Sequence, residues 1–171
     1  MSNTTTSGGA TTAPVRVHEI YIRASAQAIW DAITDSDWTE RYGYGGRVDY
    51  DLRPGGAYQA HASAEMARYG GPDVIITGEV LVSEPPHKLV QTWHPVWDPE
   101  TAKEAPTRLT FEITPDQPGG TTKLTVIHEV AGAPNAAAMV SGQVEGAGGG
   151  WSFVLSDLKT MLETGKSLGE G

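Results

Sequence analysis

The groups in this sequence best suited to chemistry sit on segments whose residues alternate. In "LTVIHEV" the two-residue period of a strand puts Leu124, Val126, His128 and Val130 on one face, so an imidazole interrupts an apolar row. In "VRVHEIYIR" His18 shares a face with Ile20 and Ile22. In "LVQTWHP" Leu89, Gln91 and Trp93 lie together. Tyr50 falls on the side of Val48 and Leu52, and Tyr58 starts the next alternating run. If these apolar faces point inward, they enclose a greasy space with His18, Tyr50, Tyr58, Gln91 and His128 as sparse polar groups. That composition suits a flat, partly polar organic ligand. A pair such as His128 with Tyr58 could also exchange protons with a substrate, though no spacing singles that pair out. The plainer alternative is a histidine whose ring is hydrogen-bonded within the core.

Other chemistries lack their parts. There are no cysteines, which removes thiolate metal sites, disulfides and a cysteine nucleophile. Five histidines are spread over separate segments without an HxxxH or HExxH spacing, so neither a metal nor any other cofactor is expected. No serine occupies a Gly-x-Ser-x-Gly elbow. His61 and Glu65 in "HASAE" would form an exposed pair if that stretch is helical. The glycines of "EGAGGGWSFVLSDLK" run into a tryptophan instead of the Gly-Lys-Ser/Thr ending of a phosphate loop. Gly148 to Gly150 are therefore read as a sharp turn that brings the following helix close to the sheet, and as a joint about which a lid could open.

The elements that must position these groups follow from pattern. The first strand spans Val15 to Arg23. "SAQAIWDAIT" then switches to helical spacing with Ser25 as its cap, and "DSDWTERYG" reads as a second short helix capped by Asp35 or Ser36. From Gly43 to residue 131 six strands are expected, broken by "RPGG", "YGGPD", "EPPHK" and "PDQPGG". "APNAAAMVSGQV" has helix formers after Pro134. A last helix from Trp151 carries Trp151, Val154, Leu155, Leu158, Met161 and Leu162 as one apolar stripe, with Asp157, Lys159 and Glu163 off it and Gly165 closing it. One long amphipathic helix after a run of antiparallel strands must bury its stripe on the sheet. The fold class is α+β, a curved antiparallel sheet of about seven strands around a long C-terminal helix. Trp38, Tyr42 and Tyr44, beside the second helix, would stand at the mouth of a pocket. Trp93, Trp151 and Leu155 would line it.

Length and charge bound the remaining options. A chain of 171 residues with 39% hydrophobic and 19% charged residues suits one domain. Its net charge of −9 and scattered basic residues argue against nucleic acid and anionic membrane as partners. The opening "MSNTTTSGGATTAP" has no signal-peptide pattern and reads as a disordered tail, residues 1–14, with a second short tail at 166–171. No apolar run approaches the ~20 residues of a membrane span, so a cytoplasmic monomer or homodimer is expected.

The element order, together with "AIWDAITDSDWTERYG", "YDLRPGGAY" and "GGGWSFVLSDLKTMLETG", resembles the START-like (SRPBCC) superfamily. The branch it is most similar to is that of the Hsp90 ATPase activator homologues, over Val17 to Gly165. A weaker similarity is to START-like proteins of actinobacterial enediyne antibiotic clusters, some of which confer self-resistance. The resemblance implies a helix-grip (Bet v 1-like) fold with a cavity between the last helix and the concave sheet. It also implies three roles: binding of a hydrophobic, aromatic or polyketide-like molecule, as carrier or in self-resistance; a cyclase or hydrolase using the same pocket; or a chaperone co-factor. The sparse polar groups favour the first, without catalysis.

Overall fold

The computed structural model describes residues 15–143 and 149–170, Glu170 by its backbone alone. The expected tail at 1–14 and Gly148 of the glycine joint lie outside the described residues. Strand β1 (Val15–Ile22) leads into α1 (Ala26–Thr34) and α2 (Ser36–Thr39). Strands β2 (Val48–Tyr50) and β3 (Ala57–His61) follow, then α3 (Ala64–Ala67), β4 (Val74–Glu84), β5 (Lys88–Pro95) and α4 (Pro99–Ala102). The chain continues through β6 (Thr107–Gln117), β7 (Thr121–Glu129), α5 (Pro134–Val140) and α6 (Gly150–Thr164).

Local chemistry sets the boundaries. The Ser25 hydroxyl accepts from Ala28 N–H at 3.0 Å and starts α1, while the Asp35 carboxylate accepts from Asp37 N–H at 2.9 Å and starts α2. Gly55, with φ of 86°, turns the chain between β2 and β3, and Gly56 N–H donates back to Arg53 O at 2.8 Å. Gly165, at φ 83°, ends α6 by donating to Met161 O at 2.8 Å.

The strands form one seven-stranded antiparallel sheet in the order β1-β7-β6-β5-β4-β3-β2. Its register aligns the inward rows found by alternation. His18 pairs with Val126, which pairs with Phe111; His128 pairs with Leu109, which pairs with Gln91. Helix α6 lays Leu155, Leu158 and Met161 on this face, each buried, with Ile29, Trp30 and Ile33 of α1 beside them in the same core. Each such side chain stabilises the fold by about 1.5–3 kcal/mol. This is the helix-grip architecture expected from the strand count and the final helix.

Two local expectations change and a third is refined. Asp157 is buried, at 3% exposure, although its spacing puts it off the apolar stripe of α6. Its carboxylate accepts from Gly43 N–H at 2.8 Å and from Leu168 N–H at 2.7 Å, so it ties the loop after α2 and the segment after α6 to the helix. His61 is not in an exposed pair with Glu65. It ends β3, is buried, and its Nε2 and Nδ1 face Asp49 at 2.6 Å and Asp73 at 3.0 Å. The glycine joint packs the start of α6 against α5, while Trp151 just after it bonds to His128 of the sheet. A Cβ on Gly150 would lie 2.3 Å from Val140 O and 2.6 Å from Gly142 N, and Gly150 has φ of 65°, so only glycine fits there.

Candidate functional site

Two adjoining cavities open between the first turns of α6 and the β2–β5 end of the sheet. The outer one, about 450 Å³, is walled by α3 and the segment after it (Met66, Gly71, Pro72), by Ile75 and Ile76 of β4, by Trp93 and Trp97, and by Met139, Val140, Trp151 and Val154 of α5 and α6. Tyr44 and Trp97 are partly exposed and stand where it meets solvent. The inner one, about 170 Å³, runs beneath α6 and is lined by Tyr42, Tyr50, Tyr58, Phe111, Leu155 and Leu158, among others. Tyr44, Met66, Ile75, Ile76, Trp93, Trp151 and Val154 belong to both, so the two adjoin along a shared wall. Volumes of this order hold a small organic molecule.

The tyrosines are anchored, and their hydroxyls fix the walls. Tyr42 donates to Ala32 O at 2.7 Å and Tyr50 to Gln91 Oε1 at 2.5 Å. The rings of Tyr50 and Tyr58 meet at 4.6 Å. Burial holds all three phenols well above their ordinary pKa, so they remain neutral hydroxyls. Tyr44 accepts from Gly150 N–H at 3.0 Å and stacks on Phe153.

Behind this space a buried chain of hydrogen bonds fastens α6 to the sheet. The Trp151 indole N–H, which can only donate, reaches His128 Nδ1 at 3.1 Å. Nε2 therefore carries the ring hydrogen and donates to Thr107 Oγ1 at 2.7 Å, and Thr107 in turn donates to Trp93 O at 2.7 Å. The edges of Trp93 and Trp151 frame the imidazole, with centroids 4.9 and 6.1 Å away. His128 is fully buried; burial, and then the nearby His18, push its pKa down to about 4. Both ring nitrogens are engaged by neighbours and neither faces the cavities.

Among the side chains expected to touch a ligand, Tyr42, Tyr50, Tyr58, Trp93, Trp151 and Leu155 line this space. His128 and Gln91 lie behind the wall and brace Trp151 and Tyr50. His18, on β1, lines neither cavity. Its Nδ1 is buried without a hydrogen-bond partner among the described residues, and burial and Arg16 hold its pKa below the ordinary value. Trp38 also lines neither; the Arg41 guanidinium lies over its ring at 4.9 Å. Met66, Ile75, Ile76, Trp97, Met139 and Val140 complete the outer wall without having been expected there. For Met66 and Trp97 a signal existed in the caps beside them: Ser63 opens α3, and Asp98 followed by Pro99 opens α4. Among the described residues no group of histidine and carboxylate side chains is arranged to hold a metal ion.

A curved sheet gripping one long helix over an apolar cavity defines a helix-grip, START-like domain. Residues 23–163 match the profile of the family described as "Activator of Hsp90 ATPase homolog 1-like protein", and the chain belongs to that family. Solved structures share the fold. CalU16 from Micromonospora echinospora is 20% identical, with 88% of this chain and 77% of that one covered and a TM-score of 0.58. DynU16, described as a protein of the dynemicin biosynthetic locus, is 19% identical over 91% of this chain and 49% of its own, with a TM-score of 0.64. The Aha1 dimer from Colwellia psychrerythraea is 19% identical over 90% and 98%, with a TM-score of 0.63. No curated protein matches in sequence. No helix among the described residues is long and apolar enough to cross a membrane.

Proposed function

We propose that this chain binds a hydrophobic small molecule in the adjoining cavities beneath α6 and serves to carry or sequester it. The observation that carries the proposal is the lining of the outer cavity, where every described residue is apolar, aromatic or glycine. Exposed apolar surface of this kind marks a binding site. Aromatic walls on several sides (Tyr44, Trp93, Trp97 and Trp151) favour an aromatic or polyketide-like ligand. The dynemicin locus of DynU16 supports the narrower form, in which sequestration protects the producing cell.

A binding role also fits His128 better than a catalytic one. A general base needs a nitrogen within reach of substrate, and both of its nitrogens are occupied by Trp151 and Thr107. The dimer described for the Colwellia protein supports a homodimer, which light scattering of the purified chain would test.

Titration with the neutral dye Nile red tests the binding reading. The wild-type chain is expected to give saturable, single-site fluorescence enhancement. Val154→Trp, which fills the junction of the two cavities, should abolish it while leaving the circular dichroism spectrum unchanged. Absence of binding to the wild type, or equal binding to the folded variant, would count against the proposal.

A further inference from the structure

We infer that the ligand of this space is uncharged and carries a hydrogen-bond acceptor at its inner end: a neutral, carbonyl-bearing aromatic and not a fatty acid or other organic anion. The inference rests on the binding reading above and adds the ligand's charge and polarity.

The whole set of cationic side chains points to a neutral ligand. The chain has 12 Lys and Arg, all of which fall among the described residues. None of them lines either cavity. His61 is the one basic side chain in the lining, and each of its ring nitrogens already faces a carboxylate, Asp49 or Asp73. An anionic head group entering this space would lose its water and meet no counter-charge, which is strongly unfavourable. The net charge of −9 adds a long-range term of the same sign.

The hydrogen-bond donors of the walls point to an acceptor on the ligand. Most N–H and O–H groups of the walls are committed within the protein: Tyr42 to Ala32, Tyr50 to Gln91, Thr39 to Ser36, and Trp151 to His128. Tyr58 differs. Its hydroxyl donates to no acceptor among the described residues, and it is only 6% exposed in the wall of the inner cavity. A ligand carbonyl there would satisfy that hydroxyl hydrogen, and a hydrocarbon would not. Tyr44, which accepts from Gly150 N–H, offers a second hydrogen at the solvent end.

The test uses one ring system in three forms, namely anthraquinone, anthracene and anthraquinone-2-carboxylate, each displacing bound Nile red. Anthraquinone is expected to bind best, and its carboxylate roughly thirtyfold or more weaker. Tyr58→Phe should remove about a fivefold advantage of anthraquinone over anthracene, while anthracene binds as before. Displacement by the carboxylate as tight as by anthraquinone overturns the inference and leaves the binding reading standing. So does an anthraquinone advantage that survives Tyr58→Phe. Failure of Nile red and of all three compounds to bind overturns both.

Discussion

Lowering the pH should loosen this fold in a window set by His128. The folded ring is neutral and buried, with its pKa depressed from 6.5 to about 4. The unfolded chain therefore binds the proton first as pH falls. Stability is complete above pH 6.5, falls through the interval between the two values, and levels below about 4 as far as this group is concerned. Each pH unit in that window removes up to about 1.4 kcal/mol, for a total of about 3 kcal/mol. Burial of the ring, and then the nearby His18, cause the depression; a proton on Nδ1 would in addition meet the Trp151 indole N–H, donor against donor, and push the first turn of α6 from the sheet. His18, whose pKa is also lowered by burial and Arg16, adds a smaller term of the same sign. The assay is urea unfolding at pH 7.5 and 4.5 for the wild type and for His128→Gln. The amide can accept from Trp151 and donate to Thr107 but does not titrate. The variant should start about 1–2 kcal/mol less stable and lose markedly less on acidification. If its stability falls with pH as steeply as the wild type's, the assignment of this window to His128 is refuted.

Two further substitutions probe the elements that place α6. Asp157→Ala leaves Gly43 N–H and Leu168 N–H without their acceptor and should cost about 2–4 kcal/mol, read as a lower urea midpoint at unchanged slope. Gly150→Ala puts a methyl group against Val140 O in a left-handed conformation. It should cost about 2–3 kcal/mol and lower the melting temperature by roughly 5–10 °C, whereas the same change at Gly55, with a similar φ but open space around it, should cost about 1 kcal/mol.

Much of the fold was legible because its signals are local. Alternation in β1, β5 and β7 sorted inward from outward residues, and the register confirms those rows: His18 with Val126, and His128 with Leu109 and Gln91. The stripe of α6 followed from helical spacing. What alternation cannot supply is where along the concave face the helix stands away from the sheet. That is set by Gly150 meeting α5 and by Trp151 fastening to His128, contacts between distant segments. The cavity thus lies toward β2–β5, and His18 shares the inward face without lining it. Asp157 misleads for a related reason. Its position looks solvent-facing until Gly43 and Leu168 fold over it. His61 is gripped by carboxylates twelve residues away on either side, a pairing with no local signature.

The central claim is that the space beneath α6 holds an apolar molecule. Native mass spectrometry of the protein, purified gently from the organism that makes it, tests this most directly. The account predicts a retained, non-covalent adduct of roughly a few hundred daltons, lost from Val154→Trp. A clean unliganded mass for both proteins, under conditions that preserve a known complex of comparable affinity, would contradict it.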